Sequence, residues 1–274
     1  MLKVTATECL GPWGHSIEGL ADYSDMLRAA EEPSRSIDIE PVPGFIESAF
    51  NPMVYQILKK HVDSGMIRSH QKLAILLGSA FGDTATADRA SQNLLQGKVH
   101  NPLLFYQSVP NSILGYASKP FGFTGMISAI SHFGNGLVSL LDLAAIYMDQ
   151  PDVEQVLVIG VELQSSRSDE LLAELAPSEP SLRSCDHAIS LLLESVEGDV
   201  FSDTDEEPYI YIEAVESLTE PLGTELPVRP FAGNQGLVDL VIAVDQLKKR
   251  EVATPVIIYD YEFGGGCHAI KLSQ

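Results

Sequence analysis

Two uninterrupted apolar runs stand out in the pattern of hydrophobic and polar positions along the chain. Leu73–Leu77 is closed by Gly78 and Ser79, and Val156–Val161 follows a segment with helical periodicity. A strand that is apolar at every position is covered on both faces, as in a parallel sheet with helices on each side. The two runs therefore predict a layered α/β fold.

Apolar residues at helical spacing and short alternating runs predict the other elements. Helices are expected at Pro52–Val62, at Thr84–Leu95 with Asp83 or Thr84 as N-cap, from Ser108–Ser112 through Tyr116, at Val138–Asp149 and at Gln235–Lys249. Strands are expected at Leu2–Thr7, Ala188–Leu193, Tyr209–Ala214, Pro255–Tyr259 and His268–Leu272. Glu31–Pro43 and Asp199–Glu207 are typical of loops.

Composition excludes several functional classes. With 45% hydrophobic and 20% charged residues, the 274-residue chain can bury a sizeable core. Its net charge of −21 excludes the basic footprint that nucleic-acid binding requires and disfavours contact with anionic lipid. No apolar run approaches the roughly 18 residues of a membrane span. The N-terminus has no secretory signal, and the three cysteines have no metal-ligand spacing. We expect a cytoplasmic protein without membrane insertion, cofactor or metal.

Several segments, taken in order, resemble the β-ketoacyl synthase family of the thiolase fold. They are Ile75–Asp83, Ser108–Asn111, the strand-to-helix elbow Gly122–Gly136, the strand Val156–Glu162, Leu182–Glu194, the glycine-rich helix start Ala232–Leu237 and the loop Phe263–Cys267, which is similar to a Phe-Gly-Gly-Thr-Asn loop. The resemblance implies a thiolase-like layered α/β/α fold, truncated in the second half. It also implies one domain over residues 1–274, with an N-terminal half at 1–165 and a shortened half at 166–274.

The departures from the family concern the catalytic positions. Gly134, give or take one position, stands where the resemblance implies the reactive cysteine. The first catalytic histidine motif is missing, because too few residues separate Ser217 from Asn234 to hold it. Asn234 follows Gly233 where the second histidine is implied. Condensation requires a thiolate to carry the acyl chain, so the predicted set of catalytic residues is empty.

This pattern resembles the chain length factor, the non-condensing partner of an active ketosynthase in type II polyketide systems. The shortness of the chain is most similar to the form found in aryl polyene systems. The resemblance implies a heterodimer with an active ketosynthase, which meets the acyl carrier protein through the complex. It implies that the end of the acyl tunnel and the interface are formed by Met126, His132, Phe133, Gly134, Asn135 and Leu137, near a glycine loop of Phe263, Gly264, Gly265, Gly266 and Cys267.

Other chemistry remains open at a few residues. His132 is either a base in an altered site or a packed histidine. Cys267 and His268 are adjacent on a predicted strand, so they point to opposite faces and cannot easily form a dyad with each other. Asp142 either lines a pocket or is solvated.

Two weaker motifs and two alternative functions also remain. Gly264–Gly266 lacks the Lys-Ser/Thr of a phosphate-binding loop and predicts a turn. Ser184 with Asp186 and His187 lacks the elbow of a serine hydrolase. The alternatives to a chain length factor are an acyltransferase or thioesterase that uses His132, Cys267 or His268, and a homodimeric scaffold that binds the carrier protein.

Bulky residues at the end of a tunnel would limit the length of an acyl chain, because extension past them would cost overpacking strain. We therefore expect Phe133→Ala to lengthen the products made with the partner synthase, measured by mass spectrometry of the released chains. Products of unchanged length would contradict this assignment.

Overall fold

The computed structural model describes residues 1–31, 37–98, 102–132, 134, 136–175, 185–196, 209–218, 228–252, 254–262 and 266–274. Its helices are α1 (Ile17–Arg28), α2 (Phe50–Asp63), α3 (Thr84–Leu95), α4 (Pro102–Ser108), α5 (Asn111–Phe121), α6 (Gly136–Met148), α7 (Ser166–Leu175) and α8 (Gln235–Lys248). Its strands are β1 (Leu2–Leu10), β2 (Leu73–Ser79), β3 (Ile127–Ser131), β4 (Gln155–Glu162), β5 (His187–Ser195), β6 (Ile210–Leu218), β7 (Val256–Tyr261) and β8 (Cys267–Ser273).

The described strands form one mixed sheet in the order β3-β2-β4-β5-β1-β6-β8-β7. Strand β2 runs parallel to both β3 and β4, whereas the pairs from β4 to β7 are antiparallel. The two apolar runs predicted as doubly covered strands are β2 and β4, and both are buried along their full length. The sheet is therefore covered on both faces where these strands lie.

Alternate residues of the central strands enter two separate cores. In β2, Ala74 and Leu76 pack with apolar residues of α1, α6 and α8. Leu73, Ile75 and Leu77 pack on the other face with residues of α2 and α5. This period of two is what a strand between two helical layers requires.

The sheet curls around its inner helices. Helix α6 packs against β2 and β4 near one end of the sheet and also against β7 at the other end. Helix α8 likewise contacts both β5 and β7. The inner helices therefore lie between two parts of the same sheet, and this brings the N-terminus of α6 to β7.

Most sequence predictions of secondary structure are confirmed, with small changes of boundary. Helix α3 has the predicted bounds, and the Asp83 carboxylate accepts a hydrogen bond from the Thr86 backbone N–H as its N-cap. The helix predicted from Ser108 begins instead at Asn111, because Pro110 stands at its N-cap position. Helices α1, α4 and α7 and strand β3 were not predicted. The predicted loop Asp199–Glu207 lies outside the described residues.

Other features of the sequence can be located in the structure. Cys9, Cys185 and Cys267 are all buried as free thiols. Within the described ranges, no three His, Cys, Asp or Glu side chains are grouped to hold a metal ion. No helix in those ranges has the length and apolar character needed to cross a bilayer.

Gly160 provides a test of how closely α8 approaches β4. A Cβ atom at this position would lie 2.6 Å from both Asn234 Oδ1 and Leu237 Cδ2. We expect Gly160→Ala to lower the free energy of unfolding by about 1–3 kcal/mol through overpacking, measured by urea denaturation. Gly115→Ala is the matched control, since a Cβ in this helix has nothing within 4 Å, and it should gain about 0.5–1 kcal/mol. Equal effects of the two substitutions would contradict the close approach.

Candidate functional site

The strand-to-helix elbow between β3 and α6 carries no side chain at the predicted nucleophile position. Gly134 is buried and has a φ of 106°, in the left-handed region that glycine adopts without strain. Helix α6 begins two residues later at Gly136, where a Cβ atom would lie 2.7 Å from the Gly233 carbonyl oxygen. The elbow therefore packs directly against the glycine-rich loop before α8.

A carboxylate from β7 caps the N-terminus of α6. Asp260 Oδ2 accepts a hydrogen bond of 3.0 Å from the Val138 backbone N–H, and the Leu137 N–H also bonds to this carboxylate. Burial raises the pKa of Asp260 to about 7, although these N–H groups favour the charged form. The first N–H groups of a helix attract anions, so Asp260 fills the position where the helix would otherwise stabilise a thiolate or an oxyanion.

The space beside the elbow is nearly closed. A cavity of about 10 Å³ lies there, lined by Gly134, Arg229, Phe231, Gly233, Gln235, Asp260 and Tyr261. This volume is about that needed for one water molecule. Arg229 is 4% exposed, and its Nη1 donates to the Tyr261 carbonyl oxygen at 3.4 Å. An acyl chain does not fit into this space.

The residue at the predicted second histidine position makes a buried polar contact. Asn234 Nδ2 lies 3.1 Å from His187 Nε2, and His187 Nδ1 lies 2.7 Å from the Cys185 carbonyl oxygen. Both contacts are satisfied when Nδ1–H donates to the carbonyl and Nε2 accepts from the amide. Burial lowers the pKa of His187 to about 4, so the ring is neutral at physiological pH. Both ring nitrogens of His187 are therefore occupied by hydrogen bonds.

A second buried carboxyl group lies on the other side of Gly233. Glu162, at the end of β4, accepts hydrogen bonds from the backbone N–H groups of Ala80 and Phe81 and from the Ser79 hydroxyl. Burial raises its pKa to about 8 despite these donors. A Cβ atom on Gly233 would lie 2.8 Å from Glu162 Oε1, which explains why glycine occupies this turn.

The predicted tunnel and interface residues occupy different environments. Met126 is 37% exposed immediately before edge strand β3, and His132 is half-buried just after it. Among the described residues, His132 Nδ1 has no hydrogen-bond partner. Leu137 is 1% exposed and packs in the core around α6. Phe133, Asn135, Phe263, Gly264 and Gly265 lie outside the described residues.

The remaining candidate residues also differ in burial and in their neighbours. Cys267 is buried, and burial raises the pKa of its thiol, which disfavours a thiolate. His268 lies opposite Asp260 in the register of β7 and β8. Gly266 closes a turn by accepting the Glu262 backbone N–H at 2.8 Å. Asp142 is exposed on α6, and Ser184 lies outside the described residues.

Sequence reasoning missed the groups that surround the elbow. Asp260 is a charged residue one position beyond a predicted strand, and Glu162 directly follows the apolar run of β4. A carboxylate next to a buried strand was the available signal. Arg229 is separated from Asp260 by thirty-one positions and offered no local pattern.

Comparison with known proteins gives matches among solved structures. No family model and no curated protein matches the chain. The complex of the ketosynthase ApeO with its chain length factor ApeC from Xenorhabdus doucetiae matches with a TM-score of 0.63 and 18% identity, over 100% of this chain and 99% of that chain. The ishigamide ketosynthase/chain length factor matches with a TM-score of 0.67 and 14% identity, over 99% and 98%.

A further match is AntDE:AntF, a type II polyketide synthase acyl carrier protein in complex with its ketosynthase. It has a TM-score of 0.67 and 15% identity, and it covers 99% of this chain and 98% of that chain. The chain has a thiolase-like fold. At these identities the likeness establishes the fold, and it confirms the resemblance to ketosynthase and chain length factor structures at that level.

The raised pKa values of Glu162 and Asp260 predict that the protein loses stability as pH rises. Folding keeps Glu162 protonated up to about pH 8, whereas the ordinary value is 4.5, so unfolding releases a proton between these limits. We expect the free energy of unfolding to fall between about pH 6.5 and pH 8, and to fall less steeply in Glu162→Gln, because below pH 6.5 the lowered pKa values of His61 and His187 act in the opposite direction. Chemical denaturation at several pH values measures the two slopes.

The exposed Glu31 supplies the control for this experiment. Glu31→Gln removes a surface carboxylate and should leave the slope of the wild-type protein unchanged. A Glu162→Gln variant with the wild-type slope would show that Glu162 does not exchange a proton on unfolding in this range.

Proposed function

We propose that this chain is a chain-length-factor-like subunit, non-catalytic in condensation, that pairs with an active ketosynthase in type II polyketide biosynthesis. The observation that carries the proposal is the elbow: Gly134 supplies no nucleophile, and Asp260 occupies the N–H groups of α6. Solved structures with the same fold include complexes of a ketosynthase with its chain length factor. The resemblance to the short form favours aryl polyene systems within this class.

The chemistry of condensation supports a partner for the active site. Condensation requires a covalent acyl carrier and donors aimed at a developing oxyanion. At the elbow, Gly134 carries no nucleophile, the N–H donors at the start of α6 are already bonded to Asp260, and the cavity is about 10 Å³. His187 is neutral and bonded on both nitrogens, so it offers no free base. The partner would therefore perform the condensation.

The surface of the chain supports an apolar partner interface. Strand β3 is the edge of the sheet, pairs only with β2 among the described strands, and carries the exposed Ile127. Helices α3 and α4 pack against each other, and they and the residue after α4 expose apolar side chains that we call the apolar ridge: Leu94, Leu95, Leu103, Phe105, Tyr106 and Val109. Exposed apolar patches of this kind mark interaction surfaces, and an unpaired edge strand favours pairing.

A groove connects the ridge to the edge strand. It encloses about 350 Å³ and is lined by Val109 and Pro110 between α4 and α5, by Phe81 after β2 and by Ala129 and Ile130 from β3. A subunit that covered the ridge and β3 would close this groove into a cavity. We propose that the acyl chain of the partner ends in this region.

Electrostatics supports docking of the carrier protein on the partner. The net charge of −21 would repel an acidic carrier protein, since like charges oppose association. A solved structure with the same fold holds an acyl carrier protein in complex with its ketosynthase. The synthase would supply the basic docking face for the carrier, and assembly would take place in the cytoplasm.

The test is co-expression with the ketosynthase encoded in the same gene neighbourhood, followed by size-exclusion chromatography and native mass spectrometry. We expect a stable one-to-one complex that condenses acyl units, whereas the isolated chain does not. A homodimer that ignores the synthase would contradict the proposal and favour a homodimeric scaffold.

A single charge placed on the ridge should weaken this complex. Phe105 is 67% exposed, and Phe105→Asp would bury a charge against an apolar partner surface. We expect an increase in the dissociation constant of about tenfold or more, measured by mass photometry or calorimetry. Met66→Asp is the matched control, because Met66 is 45% exposed and lies outside the ridge. Equal effects of the two substitutions would place the interface elsewhere.

A further inference from the structure

Three neighbouring strands bring a serine, a histidine and a glutamate into one hydrogen-bonded line. Ser217 on β6 lies opposite His268 on β8, and their Oγ and Nδ1 atoms are 3.2 Å apart. Glu262 follows β7, and its Oε1 lies 3.1 Å from His268 Nε2. The residue types and contacts match those of an activated hydroxyl nucleophile: a hydroxyl, a base and a carboxylate that orients the base.

The solvent exposure of the three side chains is also compatible with a nucleophilic role for the serine. Ser217 is exposed, whereas the His268 side chain is only 15% exposed and the Glu262 side chain is 43% exposed. The hydroxyl can therefore meet a substrate while the imidazole is held between its neighbours. A neutral His268 satisfies both contacts when Nε2–H donates to Glu262 and Nδ1 accepts the Ser217 O–H.

The group of Ser217, His268 and Glu262 is separate from the closed elbow cavity. Strand register places His268 beside Asp260, but the Asp260 carboxylate is engaged by the N-terminus of α6. Cys267 is the register partner of Tyr261, so it projects from the opposite face of the sheet. The nucleophile of this group is therefore the Ser217 hydroxyl.

We infer that Ser217, His268 and Glu262 form an acyl-transfer site that hydrolyses acyl thioesters. Ser217 Oγ attacks the thioester carbonyl as His268 takes its proton, the C–S bond breaks, and the proton passes to the departing thiolate. Water then attacks the Ser217 ester, His268 again carries the proton, and the free acid leaves as the Ser217 hydroxyl is restored. Glu262 accepts the His268 Nε2–H and orients the ring, and water is the one co-reactant that the cycle consumes.

This inference does not depend on the proposed partnership with a ketosynthase. A subunit that leaves condensation to its partner can still release acyl chains from a thioester. Such a reaction would remove acyl groups that the synthase does not extend.

The test uses the isolated full chain and octanoyl-N-acetylcysteamine thioester as the probe. We expect an octanoyl adduct on Ser217, identified by peptide mapping, and release of free thiol above the rate in buffer. Ser217→Ala should abolish the adduct and lower thiol release by about 100-fold or more. Ser91→Ala is the matched control, because Ser91 is an exposed serine on α3, and it should retain both signals.

Two further measurements distinguish a chemical role from a structural one. His268→Gln should lower the rate as Ser217→Ala does while the melting temperature stays within about 2 °C of that of the wild-type protein. Absence of adduct and turnover, or an adduct on Cys267 instead of Ser217, would overturn the inference. Assembly with the ketosynthase is measured independently, so either proposal can fail alone.

Discussion

The bond between Asp260 and the start of α6 is the contact on which the geometry of the whole site depends. Helix α6 packs on β2 and β4, while Asp260 belongs to β7 at the far end of the sheet. The first N–H groups of a buried helix need acceptors, and a carboxylate also complements the positive end of the helix dipole. This capping interaction therefore ties the start of α6 to the far end of the curled sheet, in addition to the packing of α8 against β5 and β7.

That cap also determines what the elbow can do. An anion-binding helix N-terminus that is already occupied by a side chain of the same protein has no capacity left for a substrate. The glycines at 134, 136 and 233 allow the loops to approach until about one water molecule fits between them. Around this closed centre, Glu162 and His187 are buried in forms that carry no charge near neutral pH. The interior is thus arranged for packing and rigidity, and the open surfaces lie elsewhere.

The sequence predicted the parts of the fold whose signals are local. The runs of β2 and β4 are apolar at every position, and Asp83 caps α3 within three residues, so pattern and spacing identified them. The hydrophobic pattern does not predict strand β3, because it is an edge strand of five half-buried or exposed residues, with the sequence Ile-Ser-Ala-Ile-Ser. Helix α7 is short and mostly polar, so its periodicity is weak. The absence of a nucleophile at Gly134 could be noticed because residue type alone reveals it. The Asp260 cap could not be foreseen, since it joins residues about 120 positions apart through tertiary packing.

The backbone at Gly134 limits the substitutions that the elbow can accept. Its φ of 106° lies where any residue with a Cβ atom is strained, typically by about 1–2 kcal/mol. A single codon change from glycine to cysteine would therefore place the thiol on an unfavourable backbone, facing a helix end that a carboxylate already occupies. Installing a working thiol nucleophile at this elbow would therefore need coordinated changes at both positions, because a single substitution at Gly134 meets both the strained backbone and the Asp260 carboxylate.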